Sequence, residues 1–373
     1  MTDLGGLIER FPNSAAVQRR QLAVALAAQD VALIRSGLAR LAELGYAPGA
    51  QTMTLLAPHV PVEEMTQLRL RFEANRAAVQ ASRLFALVPE SGRLIEGVAW
   101  DAQSRRLFAT AVVGRELIYG DGNVWRAVPG LDAGSLAGIA IDAPRRRLWV
   151  ASRSDDRSAN HQTAFRGLIG IDLDTLRQVH RIPMPGEGAP GDIAVGADGT
   201  VYAADPLGGT IWRLGLGDGA MTALVPPGRL LSPQGMVAAP DRRRLYVADY
   251  LYGIAIVDTF DGSVTRLESA SPTMLDGIDG MVAWREGLVA IQNGTSPFRI
   301  VYLALNREGT RIERAQVVES GNPEWGEPTL GVVMGRNLLY VADSQGDRYG
   351  PGGAVTGEGP TRPTAIRVAR LPR

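Results

Sequence analysis

The chain has 373 residues, 45% of them hydrophobic, with 44 glycines and 23 prolines, enough for a large core and a smaller appendage. Its 39 acidic residues balance 39 basic ones, so no global field draws it to nucleic acid or an anionic membrane, and no apolar run approaches the roughly 18 residues of a membrane span. Every basic residue is arginine and cysteine is absent, which excludes P-loop and Schiff-base lysines, thiol nucleophiles, disulfides and thiolate metal sites.

The first residues, Met-Thr-Asp-Leu-Gly-Gly, lack the basic and apolar regions of a signal peptide. A soluble protein is expected, and its compartment stays open because a trimmed periplasmic or secreted form would read the same way. Residues 1–81 read as a helical cap. Asn13 or Ser14 can cap a helix through Ala28, Asp30 caps a second that stops at Gly45, and Pro61 starts a third running toward Ala78. Val31, Ile34, Leu38 and Leu41 fall on one face. The stretch from Ser14 to Pro48 resembles one tetratricopeptide-type hairpin. A single such unit reads either as a cap packed on its neighbour or as a docking surface for a protein partner.

From residue 82 onward the period becomes that of strands. Glu96–Ala109 is a hairpin whose echo returns at Ala137–Ala151, Gly191–Ala204, Gln234–Ala248, Asp279–Ala290 and Leu330–Ala342. Each copy is an apolar strand, a polar turn and a second strand rich in Leu, Tyr, Trp and Val. The copies start 41, 54, 43, 45 and 51 residues apart, which leaves room for two further strands per unit. The expected architecture is mainly β, a six-bladed β-propeller over residues 82–373. A solenoid of hairpins would need polar caps at both ends, whereas Arg83–Val88 is free to complete the last blade beside Ala365–Leu371 and so remove the open edges.

The loops entering each inner strand, and those joining the second strand to the third, share one face of a propeller. Both long insertions, Arg153–Phe165 and Ser344–Pro363, fall there, and long loops on a rigid scaffold commonly carry function. The opposite face holds the short turns Arg145–Arg147 and Arg242–Arg244. These read as solvated turns, open to pairing with acidic residues of the helical cap.

The residue at the head of each inner strand points at the mouth of the central channel. Around the ring these are Glu96, Ala137, Gly191, Gln234, Asp279 and Leu330. Two carboxylates and an amide form an oxygen-only set suited to a hard cation such as Ca²⁺, which takes about 6–8 oxygens and would complete its shell with water or substrate.

At these residues the chain resembles the family of senescence marker protein 30, gluconolactonase and the paraoxonase-like lactonases. The resemblance spans about residues 83–371 and implies a divalent metal at the channel mouth. It makes Glu96 and Asp279 metal ligands, Asp279 also the general acid or base, and Gln234 the counterpart of a family Asn. A further family Asn aligns with Gly191, where the neighbouring Asp192 could substitute as a substrate-binding residue. The implied activity is metal-dependent opening of a lactone or ester. The alternatives are a non-catalytic propeller that binds a protein or small ligand, and a strictosidine synthase-like propeller with different chemistry.

Of the three histidines, only His161 lies on a loop of the site face, where it could bind substrate or act as acid or base; His59 and His180 read as structural or surface residues. Asp205, Asp249 and Asp343, at the ends of second strands, read as caps for loop amides. Gly186–Gly191 fits Gly-x-Gly-x-x-Gly but precedes a strand, so dinucleotide binding is rejected. Asn293-Gly-Thr295 matches a glycosylation acceptor.

Overall fold

The computed structural model describes residues 4–90, 94–159, 161–356 and 360–373; parts of both long insertions, at Asn160 and 357–359, lie outside that range, as do the first three residues. Five helices come first: α1 (Leu4–Arg10), α2 (Ala15–Ala27), α3 (Val31–Leu44), α4 (Ala50–Leu56) and α5 (Val62–Arg76). The caps fall where side-chain chemistry puts them. The Ser14 hydroxyl accepts from the Val17 N–H and the Asp30 carboxylate from the Leu33 N–H, while Gly45 ends α3 in the left-handed region at φ 89. Ile34, Leu38 and Leu41 are fully buried as the helical period requires, but Val31, in the first turn of α3, is exposed. The short helices α1 and α4 have no counterpart in the sequence reading.

Six blades of four antiparallel strands follow, in chain order from the channel outward in the first five; the fifth gains a short parallel edge strand, Glu268–Ser269, beside Arg311–Ser320. The inner strands are Ile95–Asp101, Ser135–Asp142, Ile193–Val195, Pro233–Ala238, Ile278–Trp284 and Gly331–Met334. In the sixth sheet the fourth strand is Ser82–Val88, which pairs antiparallel with Thr364–Arg370 from Ser82 opposite Ala369 to Val88 opposite Thr364. First and last strands therefore share a blade. A solenoid has no such pairing, and the architecture is a closed six-bladed propeller.

The apolar core sits between blades rather than within them, because two facing sheets bury what a lone sheet cannot. Phe108 and Leu117 of blade 1 pack on Leu148 and Ile169 of blade 2. Val88 and Ile366 of blade 6 meet Ile95 and Leu107 of blade 1 in the same manner, so the closing interface is as apolar as the others. A buried polar cluster holds the closing strand against blade 5 as well. Glu319, fully enclosed, accepts from the Ser82 hydroxyl at 2.7 Å, the Asn322 amide at 2.6 Å and the Tyr340 hydroxyl at 3.0 Å.

The arginine turns pair with the propeller and not with the helices. Arg146 forks onto both Asp101 oxygens, at 2.8 and 2.9 Å, and reaches Asp174, while Arg243 pairs with Asp258 and Arg244 with Asp241. The reason is placement, since the helices dock on the opposite face. The Asp276 carboxylate accepts from the Ala15 and Ala16 N–H groups at the start of α2, the Ser14 hydroxyl donates to the Leu251 carbonyl, and Met274 joins the helical core. All three propeller residues lie on loops of the channel-mouth face. Among the described residues, no helix is long and apolar enough to cross a membrane.

Candidate active site at the channel mouth

Four of the inner strands carry an irregularity in register near their heads, between Ile95 and Val98, Leu136 and Ile139, Pro233 and Met236, and Ile278 and Gly280. A bulge of this kind re-aims one side chain out of the pleat. The residues it re-aims include Glu96, Gln234 and Asp279. The glycine after each lets neighbouring blades close in. A Cβ on Gly235 would meet the Asp279 carbonyl at 2.7 Å, and one on Gly280 the Thr329 carbonyl at 2.6 Å. Slot residues from separate blades are thereby drawn toward one axis.

They open into a single cavity of about 560 Å³. Glu96, Gln234 and Asp279 all line it, joined by Arg153, Asp155 and Arg157 of the blade 2 insertion, and by Tyr250, Asn293 and Glu327. Arg153 stands 3.9 Å from Glu96, and Asp155 binds both Arg153 and Arg157. Asp192 lies deeper, lining an apolar channel of about 400 Å³ below the mouth, where one of its oxygens accepts from the Met236 N–H at 3.0 Å. His161 stands apart, in a short 3₁₀ turn of the insertion, and is not among the residues lining the cavity.

The electrostatics follow from crowding. Desolvation, and then the charge of Glu96, raise the Asp279 carboxyl well above the usual range, with Glu327 and Asp192 adding to the repulsion. Desolvation pushes Asp192 up to about 7, against the pull of the Ile193 and Met236 N–H groups. Glu327, at the rim, is raised by partial desolvation and by Glu96.

Asn293, which the sequence offered only as a glycosylation acceptor, is instead buried beside Asp279. Its amide donates to Asp279 Oδ2 at 2.8 Å, and its oxygen accepts from the Tyr250 hydroxyl at 2.9 Å. Tyr250 keeps its proton to donate there, because burial and the charge of Asp279 hold its phenol above its ordinary value. At the second-strand ends, Asp249 accepts from the Leu231 and Ser232 N–H groups and binds Arg266, and Asp205 accepts from Gly208, as expected of loop caps.

The donor set fits a hard cation. Glu96, Asp279 and Gln234 face one cavity, and the mutual repulsion of its carboxylates is relieved by positive charge. It is not a preformed cage, for among the described residues no three His, Asp or Glu side chains converge at ligand spacing.

The sequence profile described as strictosidine synthase-like, N-terminal, matches residues 174–214. Among curated proteins, none matches the chain. Among solved structures, a gluconolactonase from Xanthomonas campestris superposes at a TM-score of 0.50 with 18% identity, covering 79% of this chain and 97% of its own. A streptogramin B lyase matches at 0.50 and 12% identity, covering 74% and 79%. A PQQ-bound aldose sugar dehydrogenase from Streptomyces coelicolor reaches 0.49 and 15%, covering 78% and 98%. At these identities the likeness concerns architecture. The chain has the fold of the gluconolactonase-type propellers, with a strictosidine synthase-like match across its second and third blades.

Proposed function

We propose that the channel mouth is the active site of a metal-dependent hydrolase that opens a lactone or related ester. One observation carries the reading: Glu96 and Asp279, from the first and fifth blades, face one cavity, where the charge of Glu96 weighs on the buried Asp279 carboxyl. Glu96, Asp279 and the Gln234 amide would hold a divalent cation, Ca²⁺ by the hardness of the donors. Bound there, it would supply Lewis-acid polarisation of the substrate carbonyl.

The side chains do the rest. Asp279, ionised once positive charge relieves the repulsion, takes a proton from the attacking water as the new C–O bond forms, and returns it to the leaving oxygen as the ester bond breaks, giving a hydroxy acid. Asn293 keeps one carboxylate oxygen engaged so that the other faces the cavity. Asp192, in the channel below the mouth, would accept from hydroxyls of a substrate that reaches that far.

The test combines metal content, melting temperature and turnover. Millimolar Ca²⁺ is expected to raise the melting temperature by mass action, Asp279→Ala to remove most of that shift, and lactone hydrolysis to fall at least about a thousandfold in the variant. An unshifted curve with Ca²⁺, Mg²⁺, Mn²⁺ and Zn²⁺, with no metal in the purified protein, leaves the second reading. That reading is a non-catalytic propeller that binds a protein or ligand, or a propeller with strictosidine synthase-like chemistry, and the profile match over 174–214 supports only the latter.

A further inference from the structure

A second cavity, of about 670 Å³, lies directly beside the channel mouth. Glu327 lines both spaces. The wall between them is the short stretch of residues 343–346 after the second strand of blade 6, from which Ser344 and Gly346 line the mouth while Asp343 and Gln345 line the second space. The two cavities adjoin across it.

The second compartment is built to hold its shape. The Trp325 indole lines it, with its N–H donated to the Tyr340 hydroxyl at 2.9 Å and its ring set edge-on to Tyr340 at 85°. Tyr340 is itself fixed by Ser82 and buried Glu319. On the far side, buried Gln345 clamps residue 362 twice, donating to the Arg362 carbonyl at 2.8 Å and accepting from its N–H at 3.2 Å. It does so from the left-handed region, at φ 59, a strained setting for a residue that is not glycine. Arg362 forks onto Asp343. Gly326 keeps the space open, since a Cβ there would meet Asp343 Oδ1 at 1.9 Å.

The lining selects a chemistry. Trp325 and Phe298 offer aromatic surface, while Glu327, Asp343 and Asp347 are nearly balanced by Arg348 and Arg362, so no strong net charge calls for an ion. Aromatic faces beside planar donors and acceptors suit a neutral ring with C–H bonds on its faces and hydroxyls on its edge. We propose that this compartment binds a hydroxylated, sugar-type ring joined to the group cleaved at the channel mouth, so that the substrate carries at least two rings. The assignment of a cleaved group rests on the hydrolase reading; the ring site does not.

The test has a binding arm and a turnover arm. Cellobiose and maltose, which contain no ester, are titrated calorimetrically into the whole chain, into Trp325→Ala and into Trp325→Phe. At least one disaccharide is expected to bind, with affinity falling about tenfold or more in Trp325→Ala and largely kept in Trp325→Phe. In turnover, the lactone of cellobionic acid is expected to show a KM about tenfold below that of glucono-1,5-lactone, with Trp325→Ala removing the difference while leaving kcat for the smaller lactone. Trp325-dependent disaccharide binding without any hydrolysis supports the ring site and removes the hydrolase reading. Equal hydrolysis of both lactones, with no disaccharide bound, overturns the ring site and leaves hydrolysis standing.

Discussion

Asp101 and Asp279 stand at opposite ends of inner strands, one on the face of the short turns and one at the channel mouth, and their surroundings invert their chemistry. Around Asp101 every neighbour favours charge. Arg146 forks onto it, and the Ser104 hydroxyl and N–H donate to it, holding its carboxyl far below the usual range. Around Asp279 the charged neighbours are Glu96, Glu327 and Asp192, against a single amide donor, and the carboxyl rises. The turn face spends its charges on stability. The mouth leaves repulsion unrelieved, as functional sites do when a ligand or ion is meant to relieve it.

The contrast requires a closed ring, so its most drastic test is to open it. Excising Ser82–Val88 removes the ladder to Thr364–Arg370 together with the buried Val88 and the Ser82 partner of Glu319. Loss of the cooperative unfolding transition in calorimetry is expected; unchanged melting would mean that this strand is not what closes the propeller.

Next in size is Arg146→Ala, which strands a carboxylate that is only 2% exposed. Removing one partner of a buried pair costs about 3–5 kcal/mol, measurable by urea denaturation at pH 7. Because the folded Asp101 carboxyl is depressed, the stability it contributes is present above its unfolded value and lost as pH falls. The penalty is therefore expected to shrink only below pH about 4. A loss under about 1 kcal/mol would place the turn face among ordinary surface pairs.

At the mouth the same kind of change should have the opposite sign. Asp279→Asn removes a charge that its neighbours oppose, so the cation-free protein is expected to gain roughly 3 kcal/mol at pH 8, while the stabilisation by Ca²⁺ falls away. Destabilisation of the cation-free protein would show that Asp279 serves the fold and not a site.

Much of the ring was legible because it repeats. An inner strand with one buried face, a polar turn and a partner strand leave the same trace six times, and the bulged glycine motif places Glu96, Gln234 and Asp279 at equivalent positions. Asn293, Tyr250 and Glu327 were not legible, since they reach the mouth from loops just outside the repeated hairpins: Asn293 follows the strand paired with that of Asp279, and Tyr250 and Glu327 come from the loops on either side of that blade. Their one outward signal was position, on the face of the long insertions. His161 carried that signal too and yet lies off the cavity, because a long insertion can fold back on itself, as the Ser154 hydroxyl bond to the His161 carbonyl does here. The arginine turns failed for a related reason. Sequence identified their charge but not which face the helices would cover.

Asp276 sharpens the comparison, because it is a mouth-face carboxylate whose donors come from the helices. Burial raises it to about 6 from an unfolded value of 3.8, and the Ala15 and Ala16 N–H groups offset this only in part. Below about pH 4 the carboxyl is neutral in both states. Between about 4 and 6 the folded state alone retains the proton, so folding binds a proton and stability from this group falls as pH rises; above about 6 both states are ionised and the loss levels off. Asp276→Asn has no such titration. The stability of the wild type relative to the variant is therefore expected to drop by on the order of 2 kcal/mol between pH 4 and 6.5, then stay flat to pH 8. A difference that climbs with pH would mean that the α2 N–H groups outweigh desolvation, placing Asp276 with Asp101 as a charge that serves the fold. A difference that falls as expected would mean that the helices rest on a carboxylate strained in the same sense as Asp279. Seating α2 would then be easiest where that charge is neutralised, in acid.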